Sequence, residues 1–300
     1  MSEILQRDMI GYSVLILLFV VWLPRLDAQH FVSKMQTGYL LHPSIPVVEG
    51  MKIADVGTGT GIWLMDLAGS LPKSCQLDGF DVADGNYPAK KYWPDNVNLA
   101  VLDAFGDVPE DLVGRYDVVH LRFWAAMVKN RDPKPLIRHA LRLLKPGGYI
   151  QWEEFDLHNT VAVGDTAAKL LPMELKALSH VGITMDWVEK LPGLLVEAGL
   201  QILYTGPRTL RPEAIPLCTG TYLTGLMEVS YQIVDQLESG GAVEPTAPEW
   251  REAIRDMMED SKRGGEYYWN LLSLLAQKPF NHPIKLDDGV SGNGLKQGKI

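Results

Sequence analysis

Three glycines at alternate positions, Gly57, Gly59 and Gly61, sit between a β-branched run and an amphipathic one in the stretch Asp55-Val56-Gly57-Thr58-Gly59-Thr60-Gly61. Glycines spaced this way let a chain turn tightly from strand to helix and leave bare backbone for a ligand. In an open α/β sheet, ligands sit in the crevice at the carboxyl ends of the strands, where such a turn lies. A dinucleotide fingerprint would place its third glycine at position 62, which is Ile62, and the G-K-[ST] of a P-loop is absent. Asp55 ahead of the loop suits a cationic ligand better than a pyrophosphate. Asp81 comes twenty residues after Gly61, at the end of the next expected strand, where a carboxylate can accept both hydroxyls of a ribose.

The surrounding pattern agrees with that reading. From Met51 onward strands and helices alternate, the signature of parallel βαβ units. Strands are expected at 52–56, 77–81, 97–102, 116–121 and 149–152, with a helix at 62–71. Asp132-Pro133 opens a further helix as N-cap and first residue. Leu136, Ile137, Ala140, Leu141 and Leu144 share one face of it, and Arg142 and Lys145 fall in its last turn. Pro146-Gly147-Gly148 stops it. The second half predicts helices at 165–179 and 185–198, a strand at 199–205, and mostly helix over 206–265, broken at Gly240-Gly241 and 245–248. Residues 266–278 suit a last strand or a helix, and the tail from Pro279 a loose end. No internal repeat is visible.

Composition removes other classes. With 46% hydrophobic and 22% charged residues, wholesale disorder, collagen and coiled coil are excluded. A net charge of −9 without a Lys/Arg cluster argues against nucleic acid as a partner. Cys75 and Cys218 make neither a disulfide framework nor a zinc site, and no H-x-x-x-H pair occurs. The chain is therefore expected to be cytoplasmic, reduced and without a metal. Residues 9–24 run sixteen positions without a charge, just short of the roughly 17–25 needed to cross a bilayer. Membrane anchor, buried helix or strand, and misread N-terminus all remain open for them.

Asp55 through Gly61, Asp81, Asp103 after the third strand and Lys145-Pro146-Gly147-Gly148 before the fifth together resemble the class I S-adenosylmethionine-dependent methyltransferases, over about 51–152. Arg25-Leu26-Asp27-Ala28-Gln29-His30, the segment Ala54–Asp66 and the closing Ala276-Gln277-Lys278-Pro279 are similar to fungal methyltransferases of secondary metabolism, including the type that regulates it. In those relatives an acidic segment follows Gly-Tyr. Here Gly11-Tyr12 leads into the apolar 13–24, a departure that favours the misread N-terminus over membrane contact through 9–24.

The resemblance implies an α/β, Rossmann-like fold, with a mostly parallel seven-stranded sheet, helices on both faces and a helical lid. It implies an N-terminal segment at 1–50 with a family-like stretch at 25–30, a methyltransferase domain at 51–278 with helical insertions at about 155–198 and 206–265, and a C-terminal tail at 279–300. It also implies S-adenosyl-L-methionine as cofactor. Gly57, Gly59 and Gly61 would pack on its methionine and ribose, Asp55 would face the amino-acid end, Asp81 would hold the ribose hydroxyls, and Asp103 with the backbone of Ala104 would meet the adenine. His120, ending the fourth strand, would lie near the transferring methyl. Glu153 and Glu154 follow the fifth strand; neighbours in a strand face opposite ways, so at most one enters the crevice. These three are the candidates for catalysis, and the aromatics Trp187, Tyr222, Tyr231, Trp250, Tyr267, Tyr268 and Trp269 are candidates to line an acceptor cavity as well as core. The expected activity is methyl transfer to a hydroxyl or nitrogen of a small natural-product intermediate. A protein methyltransferase or nuclear regulator, and a non-catalytic S-adenosylmethionine-binding subunit, are the alternatives. Oligomeric state is not assigned.

Overall fold

The computed structural model describes residues 25–281, except 126, 129–131, 181–185, 209 and 239–243. Seven strands form one sheet: β1 (Lys52–Val56), β2 (Gln76–Asp81), β3 (Val97–Val101), β4 (Tyr116–Arg122), β5 (Leu144–Val163), β6 (Gln201–Arg208) and β7 (Glu266–Gln277). Their spatial order is β3-β2-β1-β4-β5-β7-β6. The first five run parallel, and β7 enters antiparallel between β5 and β6. The order reverses between β1 and β4, so a crevice opens at their carboxyl ends.

Helices cover both faces: α1 (25–37), α2 (Ile62–Leu67), α3 (Lys134–Leu143), α4 (Asp165–His180), α5 (Leu191–Glu197), α6 (Ile215–Glu238) and α7 (Ala247–Ser261). Alternation along the strands explains this. Ile53 and Val118 point to one face and pack with Trp63, Leu64 and Leu67 of α2. Ala54, Val56, Val119 and Leu121 point to the other and pack with Leu136, Ile137 and Ala140 of α3. Helix α7 starts at a capping box, with Thr246 accepting from the Glu249 backbone N–H and the Glu249 side chain reaching back.

Several expectations need correction. Helix α2 stops at Leu67, short of 71, because 68–70 form a turn around Gly69. The fifth strand is far longer than 149–152. It begins at Leu144, includes Pro146-Gly147-Gly148 across a register shift, and continues to Val163 as a ribbon with β7. The first residues of the expected helical insertion at 155–198 are thus strand. Their polar sequence, Asp156 to Thr160, hid this, since a bulge between Asp156 and Val161 breaks the alternation. Residues 186–190 are turns ahead of the short α5, so no helix runs through 185–198. Residues 266–277 are strand, settled by pairing on both sides. The apolar run 9–24 and most of the tail at 279–300 lie outside the described residues. Among the described residues no helix is long and apolar enough to cross a membrane, and no cluster of ligating side chains suits a metal ion.

Candidate active site

The glycine loop is a left-handed cradle. Gly57, Gly59 and Gly61 have φ of 73°, 59° and 76°, values that side-chain-bearing residues adopt at a cost. The loop hangs from β2 by the Gly57 and Thr58 amides, which both donate to the Phe80 carbonyl at 2.8 and 2.9 Å. Three carboxylates from three elements then fix its middle. Asp55 of β1 accepts from the Thr58 hydroxyl at 2.7 Å. Asp81 of β2 accepts from the Gly59 amide at 2.8 Å. Asp27 of α1 accepts from the Thr60 hydroxyl at 2.7 Å.

Beneath the loop lies a buried charged cluster on the α2 face of the sheet. Register places Asp55, His120 and Gln151 side by side on β1, β4 and β5, with Glu153 one pleat further. His120 Nδ1 is 2.7 Å from Asp55 Oδ1, and its Nε2 is 2.7 Å from Glu153 Oε2. Both nitrogens face carboxylates, so both donate and the ring is an imidazolium. Burial opposes that charge, but Glu153 and Asp55 outweigh it and hold the His120 pKa above its ordinary value. Burial likewise opposes ionisation of Asp55, yet His120, Thr58 and Arg122 keep its pKa low. The indole of Trp63 stacks on the His120 ring at 3.8 Å and 4°. Gln151 donates to the other oxygen of Glu153 at 2.7 Å. Two acids and two bases, Arg122 being the second base, thus balance each other in the interior.

A second relay ties in α1. Both terminal nitrogens of Arg122 lie 3.3–3.4 Å from His30 Nδ1, which therefore accepts. His30 Nε2 then donates to Asp66 Oδ2 at 3.0 Å, and Lys34 donates to the same oxygen at 2.7 Å. Burial and Arg122 push the His30 pKa down to about 4, so this histidine is neutral.

The expected site residues therefore separate. Gly57 is exposed, Gly59 and Asp81 are partly buried, and Gly61 is buried, turned toward Leu99 and Met65. Asp103 is exposed, accepts from the Phe105 amide at 2.9 Å, and precedes the buried Ala104. Asp55 is buried, and its oxygens are committed to His120 and Thr58, so it acts on the loop from below. His120 is 1% exposed inside the cluster, with both ring nitrogens facing carboxylates. Glu153 and Glu154 are both buried, on opposite faces. Glu154 accepts from the Trp124 amide, the Phe155 amide and the Trp152 indole.

Of the seven aromatics, Trp187, Tyr222, Trp250, Tyr267, Tyr268 and Trp269 are core, and Tyr231 stacks under Arg251, whose guanidinium carbon is 4.0 Å from the ring centroid. Residues that the sequence reading missed stand closer to the loop. Trp124 lies against Gly57, and Phe123 stacks on Phe155 at 3.9 Å. Phe155 in turn meets Tyr222 and Trp269 edge-on. The doublet Phe123-Trp124 directly after the fourth strand was the available signal.

These residues fit S-adenosylmethionine. The loop leaves room above its middle, since a Cβ on Gly59 would meet only Leu26, at 4.0 Å. A carboxylate stands at the end of β2, where a ribose diol can donate to it. Asp81 and the loop would hold the cofactor, which when bound supplies the electrophilic methyl.

A mostly parallel sheet with this glycine loop and acid defines the class I methyltransferase architecture. The family model for the methyltransferase domain matches residues 40–205, more than half of the chain, and the chain belongs to that family. Methyltransferase grgD of a Penicillium species is 39% identical over 140 residues, which cover 44% of this chain and 48% of that protein. N-methyltransferase tcpN of Claviceps purpurea is 28% identical over 194 residues, 62% of this chain and 68% of that protein. The secondary metabolism regulator laeA of Coprinopsis cinerea is 33% identical over 104 residues, covering 35% of this chain and 24% of that protein. The matched stretch thus spans about half the length of grgD and about a quarter of that of laeA. A chain in the Haloferax volcanii complex between the Trm112 methyltransferase activator and a methyltransferase shares the fold, with a TM-score of 0.50 at 18% identity over 86% of this chain and 96% of that one.

Proposed function

We propose that this protein transfers a methyl group from S-adenosylmethionine to a nitrogen or hydroxyl of a small natural-product intermediate. The observation that carries the cofactor half is the positive-φ glycine cradle with Asp81 bound to its central amide. The acceptor half draws its support from relatives named as N-methyltransferases and from the aromatic line that runs away from the loop through Phe123, Phe155 and Trp269. Attack on a sulfonium methyl is an in-line displacement, and most of its acceleration comes from holding the two reactants in line and apart from water. With His120, Glu153 and Glu154 buried and fully engaged, this reading assigns no side chain as a base. It suits an acceptor that carries its own lone pair, such as an amine.

The test is methyl transfer from labelled S-adenosylmethionine into a metabolite extract of the host and into a set of small aromatic amines and phenols. Label entering a small molecule supports the reading. Label entering only a histone or other protein would replace it by protein methylation, and cofactor binding without any transfer would replace it by a non-catalytic partner subunit.

A further inference from the structure

The turn that follows β4 is built in an unusual way. Phe123 has φ of 62°, the one described non-glycine residue in the left-handed region, a conformation that persists only where surroundings enforce it. The enforcing group is Glu154. Its Oε2 accepts from the Trp124 amide at 2.8 Å and from the Trp152 indole at 3.3 Å, and its Oε1 accepts from the Phe155 amide at 3.1 Å. Glu154 is 0% exposed. All three of these partners are donors, so both oxygens of Glu154 act as acceptors. The Phe123 amide is taken by the neighbouring Glu153 carbonyl at 3.1 Å, so the whole turn is pinned to β5.

The residue thereby placed is Trp124. Its indole N–H donates to the Val56 carbonyl, the last of β1, at 3.2 Å. Its six-membered ring lies over Gly57 so closely that no Cβ could stand there. Its other side meets Phe105 edge-on, with ring centroids 5.7 Å apart. The indole thus bridges the start of the glycine loop and the loop after β3.

We propose that Glu154 is a positioning residue for the cofactor site: by accepting the Trp124 amide from β5 it sets Trp124 as the side wall of the crevice between Gly57 and Phe105. The proposal rests on the cofactor reading above. It assigns Glu154 no part in proton transfer, since the residue reaches the site only through backbone.

The test is calorimetric binding of S-adenosylhomocysteine by the full chain, with near-ultraviolet circular dichroism as a report on Trp124 that needs no ligand. Three variants are compared with the wild type: Glu154→Gln, Glu154→Ala and Trp124→Ala. Glutamine fills the same volume but turns an NH2 group toward an amide donor, so it should bind at least tenfold more weakly, close to alanine. It should also lose part of the tryptophan signal that Trp124→Ala removes. A residue that merely filled space would be rescued by glutamine. Glutamine binding within twofold of wild type, with an unchanged tryptophan spectrum, would overturn the proposal. Should the Glu154 variants fail to fold, Trp124→Ala decides alone: weaker binding supports the wall, and equal or tighter binding overturns it. A wild-type chain that binds no S-adenosylhomocysteine would instead sink the cofactor reading, while the spectra would still show whether Glu154 places Trp124.

Discussion

Replacing His120 by leucine should be among the most damaging single changes in the described chain, and its damage should depend on pH. Leucine removes both hydrogen bonds of 2.7 Å and leaves the carboxylates of Asp55 and Glu153 buried without their shared cation. Breaking a buried ion pair in this way costs about 3–5 kcal/mol. Loss of the stacked contact with Trp63 adds roughly 0.5–1.5 kcal/mol. The total approaches the whole stability of many domains, about 5–15 kcal/mol. In the wild type the His120 pKa lies above 6.5, so its contribution is complete below that pH and fades as pH rises through the higher folded value. The Asp55 pKa lies below 3.8, so its contribution holds above that pH and fades only in stronger acid. The cluster therefore stabilises most between those two limits. In His120→Leu the alkaline decline should vanish, and acidification should narrow the deficit as the stranded carboxylates take up protons. Urea unfolding followed by circular dichroism across that range reads all of this. A variant within about 1 kcal/mol of wild type, with the same pH profile, would show that the imidazolium holds nothing.

Asp81→Ala should weaken S-adenosylmethionine binding by about 1–3 kcal/mol, the scale for losing hydrogen bonds to a charged group, and calorimetry measures it; the same change frees the Gly59 amide, so unchanged affinity would remove Asp81 from the site. Burial pushes the Glu174 pKa up to about 7 from 4.5 despite its bond from the Tyr267 hydroxyl. The folded chain then holds a proton that the unfolded chain releases between those values, so this residue makes stability fall as pH rises through that window. Glutamine at 174 keeps an acceptor for Tyr267 and should flatten that part of a melting-temperature profile. A chain beginning at Pro24 keeps α1 and should fold and bind cofactor, whereas one beginning at Gly38 lacks Asp27, His30 and Arg25 and should bind poorly; equal affinities by calorimetry would show that α1 adds nothing to the loop.

Much of the sheet was legible because its strands carry their own signals. Residues 52–56 and 116–121 are apolar and β-branched between turn residues, and the structure shifts their ends by at most one position. The glycine loop and Asp81 were legible for a different reason, since spacing along the chain fixes them relative to a strand end. What failed was anything decided across strands. The extension of β5 through Asp156 and Asn159 exists because β7 pairs with it, and a polar stretch interrupted by a bulge gives no alternation to read. Residues 266–277 were ambiguous between helix and strand for the same reason: an apolar run of that length suits a strand buried between two neighbours as well as a helix.

The site follows the same rule one level up. His120, Glu153 and Glu154 are titratable residues at strand ends, which is where chemistry is expected, and all three are buried. Register makes the difference. Because Asp55, His120 and Glu153 project to the face that α1 and α2 cover, they meet one another before they can meet a ligand. Glu154 projects to the other face and meets the amides of a turn. Sequence marks α1 only by its family-like stretch at 25–30, but the structure makes it a beam between the glycine loop and α6. Asp27 holds Thr60 at one point, and two residues earlier Arg25 pairs with Glu228 of α6 at 2.5 Å, both side chains largely buried. A single turn of helix thus touches the glycine loop and α6 at once. Each contact limits the positions open to the same three residues, Arg25 to Asp27.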